Sequence, residues 1–207
     1  PILICVSLFI SVFLQRQKRL RSLLKSAFLL PMAVPVASVV LLWRVTFHAD
    51  GFLSLLAVHT GHAAADWMNS GYAFWVLVFS YIWKNLGYNI VLWTAGLSGI
   101  PYHLYEAARI DGAGEWACFR KITLPGLKPV LYTITVLSLL NSFKVFREAY
   151  LVAGDYPHES IYMMQHLFNN WFVNLDIQKM TAAAVMLIAF SGIILVLFDK
   201  NNEEGKE

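Results

Sequence analysis

Three groups of residues have types and spacings that could do chemistry. The densest is Tyr105-Glu106-Ala107-Ala108-Arg109-Ile110-Asp111-Gly112-Ala113-Gly114, the longest polar interruption in an otherwise apolar chain. Its alanines favour a helix, and Glu106 and Arg109 stand three apart, close enough to pair on one helical face. The second group interrupts apolar runs: Lys84, Asn85, Tyr88 and Asn89 in one, and Asn141, Lys144, Arg147 and Glu148 in another. The third is His59 and His62, which are three apart and in principle share a metal, yet no further His or Cys nearby completes a site. No metal and no cofactor is expected. A phosphate loop of the form Gly-x-x-x-x-Gly-Lys-Ser/Thr is absent from the sequence, so this chain cannot cradle ATP itself.

The elements that must hold these residues are membrane helices. Mean hydropathy is +0.57, and 58% of the 207 residues are hydrophobic while only 14% are charged. Soluble domains carry about 25% charged residues. Several runs reach the roughly 20 apolar residues that a crossing needs. The net charge of +3 is small, so its distribution matters more than its size. Cys5 lies in an apolar run and Cys118 in the polar region, which suggests no disulfide framework.

Residues 1–14 are apolar, short for a full crossing and without a basic stretch before them, so they read as the tail of a membrane helix whose beginning is missing. Residues 15–25 follow with Arg16, Lys18, Arg19, Arg21 and Lys25 and no acid, the mark of a cytoplasmic flank. Such a basic patch could also hold nucleic acid or anionic lipid. Beside a span, orientation is the better explanation, and no nucleic-acid partner is expected. Residues 26–47 form the next span, with Pro31 and Pro35 kinking its first half. From 48 to 70 there is no Lys or Arg, as expected of an outer loop. A span over 71–97 contains Lys84, and another over 130–152 contains Asn141. The outer segment 153–179 has Ile161, Met164, Leu167 or Phe168, Trp171 and Leu175 at helical spacing, read as an interfacial amphipathic helix. Residues 180–198 are the last span, and 199–207 form a charged cytoplasmic tail. The predicted fold is therefore all-α: one polytopic membrane domain over 1–207, with about five spans and a cytoplasmic loop at 102–129.

Within that loop the spacing predicts two short helices around a glycine corner. One ends at Gly112, and a second runs from about 113 to 122 until Pro125 stops it. Arg109, Arg120, Lys121 and Lys128 make the loop basic, which agrees with a cytoplasmic position. Glu106-Ala107-Ala108, then Asp111-Gly112-Ala113, then Phe119, Ile122 and Leu124-Pro125 resemble the coupling loop of binding-protein-dependent ABC importer permeases. The resemblance is to the carbohydrate-uptake branch, of maltose and glycerol-phosphate type. It implies the type I importer permease fold, a chain that is not itself an enzyme, and a location in the cell membrane. It also implies three partners: cytoplasmic ATP-binding subunits, a second permease subunit and an outer solute-binding protein. On this resemblance Glu106, Ala107, Ala108, Asp111, Gly112, Ala113 and Gly114 form the ATPase-coupling site. Glu106 is then the polar anchor and Gly112 the corner.

Lys84, Asn85, Asn89, Asn141 and Lys144 are the residues expected to line a translocation path. Counting 1.5 Å per residue from Val130, Asn141 lies about 16 Å into the span, Lys144 about 21 Å and Arg147 about 25 Å. In a core roughly 30 Å thick, Asn141 is near the middle and Arg147 can snorkel to the outer headgroups. Lys144 and Glu148 are four apart and able to pair. Lys84 must face protein or water, because a charge at that depth costs several kcal/mol otherwise. One stretch departs from the family pattern. Sugar permeases usually carry a Gly-Gly-Pro segment with a Thr before the last outer loop, where this chain reads Ala153-Gly154-Asp155-Tyr156-Pro157-His158-Glu159-Ser160. Two other classes compete. A self-sufficient secondary transporter or channel would want coupling carboxylates within its spans, and only Glu148 qualifies. An intramembrane hydrolase needs a nucleophile and base at membrane depth, and no His lies within a span except near an end.

Overall fold

In lipid a backbone has to satisfy its own hydrogen bonds, which a helix does within one segment. A computed structural model describes residues 1–16, 21–61, 63 and 66–203, and every regular element among them is helical. Lys18 and Arg19 of the basic stretch, His62 of the histidine pair and Lys206 of the tail lie outside the described residues.

The helices are α1 (Ile2–Arg16), α2 (Arg21–Ala33), α3 (Val36–Phe47), α4 (Phe52–His59), α5 (Ala73–Gly99), α6 (Tyr102–Ile110), α7 (Glu115–Cys118), α8 (Leu124–Gly126), α9 (Lys128–Ser142), α10 (Phe146–Ala153), α11 (Met164–Val173) and α12 (Ile177–Glu203). A π-helical turn, Phe119–Thr123, joins α7 to α8, and a 3₁₀ turn, Phe143–Val145, joins α9 to α10.

The expected span at 26–47 is corrected: it is two helices, not one kinked helix. The residue before a proline avoids the helical region, and the chain breaks at Val34, with Pro35 extended at ψ 143°. Pro31 is accommodated inside α2. Among the described residues, three helical runs are long and apolar enough to cross a membrane: Val36–His59, Lys128–Ala153 and Ile177–Ile194. The first of these takes in α4, so the expected outer loop at 48–70 begins with more helix. At 27 residues α5 spans about 40 Å, but Lys84, Asn85, Asn89 and Thr94 lower its apolar character.

Two compact units make up the chain. The first comprises Pro1–Val34 and Phe79–Phe143. Its core is Trp93 and Leu97 of α5 with Leu127 and Ile134, and α1 lays Ile4, Leu8 and Val12 against it at i, i+4, i+8 spacing. Ser7 and Ser11 on α1 are fully buried. The Trp93 indole N–H donates to Ser7 Oγ at 3.0 Å, and the Ser11 hydroxyl donates to Ser7 O at 2.7 Å and to Ile90 O at 3.3 Å. Small residues with hydroxyls let membrane helices approach closely and stay paired. At Gly87 of α5 the approach is backbone on backbone: a Cβ there would overlap the Phe28 carbonyl of α2.

The second unit comprises Pro35–Val78 and Lys144–Glu207. Ala73, Leu77, Ala149 and Ile161 form its core, with Val145, Ala153 and Met163 packed around them. Arg44 of α3 donates from Nη2 to the Leu151 and Val152 carbonyls at 2.9 and 3.2 Å, satisfying acceptors left open at the end of α10. That end is set by Gly154, whose φ of +76° follows from its missing Cβ. The expected outer helix forms as α11, with Leu167, Phe172 and Val173 exposed and His166 and Asn170 buried. Of the expected stripe, Ile161 falls before the helix and packs in the core, Trp171 is half-buried, and Leu175 lies beyond its end.

His166 sits in an aromatic box, with Tyr162 stacked at 5.4 Å and Phe146 edge-on at 4.8 Å. Its Nδ1 accepts from the Met163 N–H at 3.0 Å, which leaves the proton on a buried Nε2. Burial pushes the imidazole below its usual 6.5, opposed by the Asp155 charge. With the folded value depressed, the unfolded chain binds the proton first as pH falls. This contribution to stability is therefore present above about 6.5 and is lost below it, as pH drops through the folded value. Thermal unfolding followed between pH 8 and 5 should show melting falling on the acid side, and His166→Gln should remove part of that fall. Parallel profiles would contradict it.

Candidate functional site

The polar loop owes its shape to one helix ending. In α6 the Ala113 N–H bonds to the Ala108 carbonyl at 2.8 Å and the Gly112 N–H to Arg109 O at 3.1 Å. This pair of bonds is a Schellman ending, which places the next residue in the left-handed region, and Gly112 stands there at φ +80°. The corner was legible from Asp111-Gly112-Ala113. Its Cβ position is open, with nothing within 4 Å, so conformation alone demands glycine.

Across the corner Arg109 Nη2 meets Glu115 Oε1 at 3.0 Å, with both side chains more than half exposed. This corrects the expected Glu106–Arg109 pair. The turn brings the first acid of α7 back over the end of α6, and the bidentate-capable guanidinium takes it. Bonding to Glu115, and then to Tyr102, raises an Arg109 pKa that already lies above any physiological range. Glu106 is left exposed, and among the described residues neither it nor Asp111 has an ion-pair partner. Ala107 and Gly114 are exposed as well, and Ala108 and Ala113 half-buried.

The knob is fastened to the body by the Tyr105 and Thr123 hydroxyls, 2.9 Å apart, with Thr123 buried. Tyr105 opens the polar stretch in the sequence, but no spacing rule pairs it with Thr123, 18 residues on. The second loop helix also differs from expectation. Pro125 does not stop it: the chain continues from α7 through the π turn and α8 into α9. A π turn shifts the hydrogen-bond register, and Pro125 falls at the start of α8, where its missing N–H costs least.

The tip of the knob is apolar. Ile110 is 86% exposed and Trp116 72%, the latter stacked on Phe119 at 5.7 Å. These are the most exposed large apolar side chains of the loop.

The residues expected along a path separate into different roles. Asn89 is buried and donates from Nδ2 to Ser138 Oγ at 3.2 Å, while the Tyr81 hydroxyl donates to the Ser138 carbonyl. These bonds tie α5 to α9. Asn85 donates to the Tyr81 carbonyl of its own helix at 2.9 Å. Lys84 and Asn141 are half-buried in the same unit, and neither is without a partner. Lys144 is exposed on the 3₁₀ turn and belongs to the other unit. Arg147 is exposed and Glu148 buried on α10.

Comparison with known proteins places this arrangement. Residues 4–202 match the family described as "Binding-protein-dependent transport system inner membrane component". The inner membrane ABC transporter permease protein YcjO of Escherichia coli K12 is 31% identical over 208 aligned residues, covering 98% of this chain and 70% of that protein. The sn-glycerol-3-phosphate transport system permease protein UgpA of Escherichia coli O6:K15:H31 is 32% identical, over 97% of this chain and 69% of its own length. Among solved structures, a bacterial ABC transporter involved in import of the acidic polysaccharide alginate shares the fold, with a TM-score of 0.73 at 19% identity. That match covers 97% of this chain and 71% of the other. The same type of transporter bound to its pentasaccharide-loaded periplasmic protein gives a TM-score of 0.70 at 20% identity, over 96% and 69% of the two chains.

Proposed function

The chain belongs to the binding-protein-dependent transport system inner membrane component family, and from that premise we propose that it is driven through its 102–125 loop and carries a sugar or a related polyol derivative. It is a membrane-spanning subunit of an ABC importer and works with ATP-binding subunits, a second permease subunit and a solute-binding protein. On this reading 1–207 is a single permease domain, its loop and C-terminus face the cytoplasm, and ATP is hydrolysed by a partner chain.

The observation that carries the reading is the knob itself. Glu106 is an unengaged carboxylate, Ile110 and Trp116 are bare apolar groups, and Gly112 holds them on one rigid corner. Seated on an ATP-binding subunit, such a corner transmits a push without bending. Closure of the ATP dimer would then swing the spans between inward-open and outward-open. Lys84 and Asn141, polar groups half-buried within apolar helices, are the ones read here as facing the path. The cargo class rests on the glycerol-phosphate permease UgpA and the alginate transporter as relatives.

The test is reconstitution. Complete complex in vesicles should take up labelled sugar or glycerol phosphate only with ATP and the loaded binding protein, and this chain alone should turn over no ATP. Uptake by this chain alone, driven by an ion gradient, would instead indicate a secondary transporter.

A further inference from the structure

A second surface lies where α5 ends and α9 begins. There a cavity of about 540 Å³ is lined by Gly96, Gly99, Ile100, Leu104, Ile122 and Val130, with Lys121 as the one cation in its wall. Its shape comes from the glycines. At Gly96 a Cβ would come within 2.6 Å of Val130 Cγ2, so the groove is closed at its back, whereas at Gly99 a Cβ would meet nothing within 4 Å. Water in such a slot finds few polar partners, because a buried water needs two to four of them.

Charge says what fills it. From Trp116 to Val130 the sequence holds Arg120, Lys121 and Lys128 and no acid. All three are exposed, and none has an ion-pair partner among the described residues, in contrast to Arg109. The groove sits where α5 and α9 meet the polar loop, and on the cytoplasmic placement of that loop it falls at the level of lipid headgroups. The cytoplasmic leaflet is anionic and attracts basic residues at its surface. A lysine stem lies readily along apolar surface with its ammonium at the headgroups.

We propose that this groove is the seat of one anionic phospholipid of the cytoplasmic leaflet, its acyl chain in the Gly96–Gly99–Val130 slot and its phosphate on Lys121. The inference rests on the cytoplasmic placement of the loop argued above. A zwitterionic lipid fits the slot equally but brings its own cation beside the phosphate, so the site prefers the anionic head. Such a lipid would brace the base of the knob where α5 gives way to α6.

The complete importer complex, purified in detergent, is titrated with phosphatidylglycerol or phosphatidylcholine and read by native mass spectrometry. Phosphatidylglycerol should be held preferentially. Lys121→Gln should weaken it about five-fold, the order set by one surface cation at an anionic leaflet, and leave phosphatidylcholine unchanged. Gly99→Leu projects a side chain into open space, so the complex should assemble normally and lose the preferential adduct. Equal retention of the two lipids, or a phosphatidylglycerol preference untouched by both variants, overturns the proposal. So does a disulfide from Gly99→Cys to an ATP-binding subunit, which would put protein in the groove. Orientation is read separately by an impermeant maleimide on Ile110→Cys in sealed right-side-out vesicles. Labelling from outside removes the placement of the loop itself, whereas protection without lipid preference removes only the lipid seat.

Discussion

Replacing Gly112 by valine will separate ATP hydrolysis from transport while leaving the protein inserted and assembled. Gly112 sits at φ +80°, with open space around its Cβ position. The penalty is therefore conformational and not steric against neighbours: a non-glycine residue held there costs about 1–3 kcal/mol, most for a β-branched one. The chain can relieve that strain only by abandoning the Schellman ending, which moves Glu106 and Ile110 relative to α7. Uptake by the reconstituted complex should fall between about five-fold and a hundred-fold, the range that strain of this size produces in a two-state equilibrium. Gly112→Asn should retain most of the activity, because asparagine tolerates the left-handed region. Glu106→Ala should also reduce uptake, by removing the one carboxylate of α6 free to anchor a partner. Normal ATPase stimulation and normal uptake in Gly112→Val and Glu106→Ala would reduce the knob to a surface helix.

Gly87→Ala will prevent the first unit from folding as it does. A Cβ at Gly87 overlaps the Phe28 carbonyl carbon and oxygen, and it lies 2.8 Å from the Leu29 nitrogen. Backbone cannot turn aside as a flexible side chain can, so α2 and α5 must part. Overpacking against side chains typically costs about 1–3 kcal/mol, and against fixed backbone the cost should reach or exceed the top of that range. The expected result is little or no assembled complex in the membrane fraction. Gly99→Ala is the control on the same helix: its Cβ meets nothing within 4 Å, and alanine is the better helix former by about 1 kcal/mol. Equal complex yields for the two variants would mean that α2 does not cross α5 at Gly87.

These two glycines mark how far the sequence alone could be read. Gly112 was legible because an Asp-Gly-Ala after a helical run has one local solution, and local hydrogen bonds enforce it. Gly87 was not, since a lone glycine in an apolar helix looks the same whether or not another backbone crosses it. The ion pair was misread for a related reason. Glu106 and Arg109 satisfy the spacing rule along one helix, but the corner brings Glu115 closer, and a spacing rule cannot see around a turn. Pro35 broke its helix because the preceding residue must leave the helical region. Pro125 did not, because the π turn before it had already shifted the register. Within the spans, polarity was legible and role was not. Asn89 reads in the sequence as a path residue, yet its amide donates to Ser138 and ties two helices together.

The central claim is that the knob at Ile110 is where this permease meets the subunit that hydrolyses ATP. A photoactivatable residue in place of Ile110, which is 86% exposed, tests it most directly. Irradiation of the assembled complex in native membranes should give one dominant adduct, with the ATP-binding subunit, and its yield should change when ATP is added. An adduct with lipid or with the solute-binding protein, and none with the ATP-binding subunit, would contradict the account.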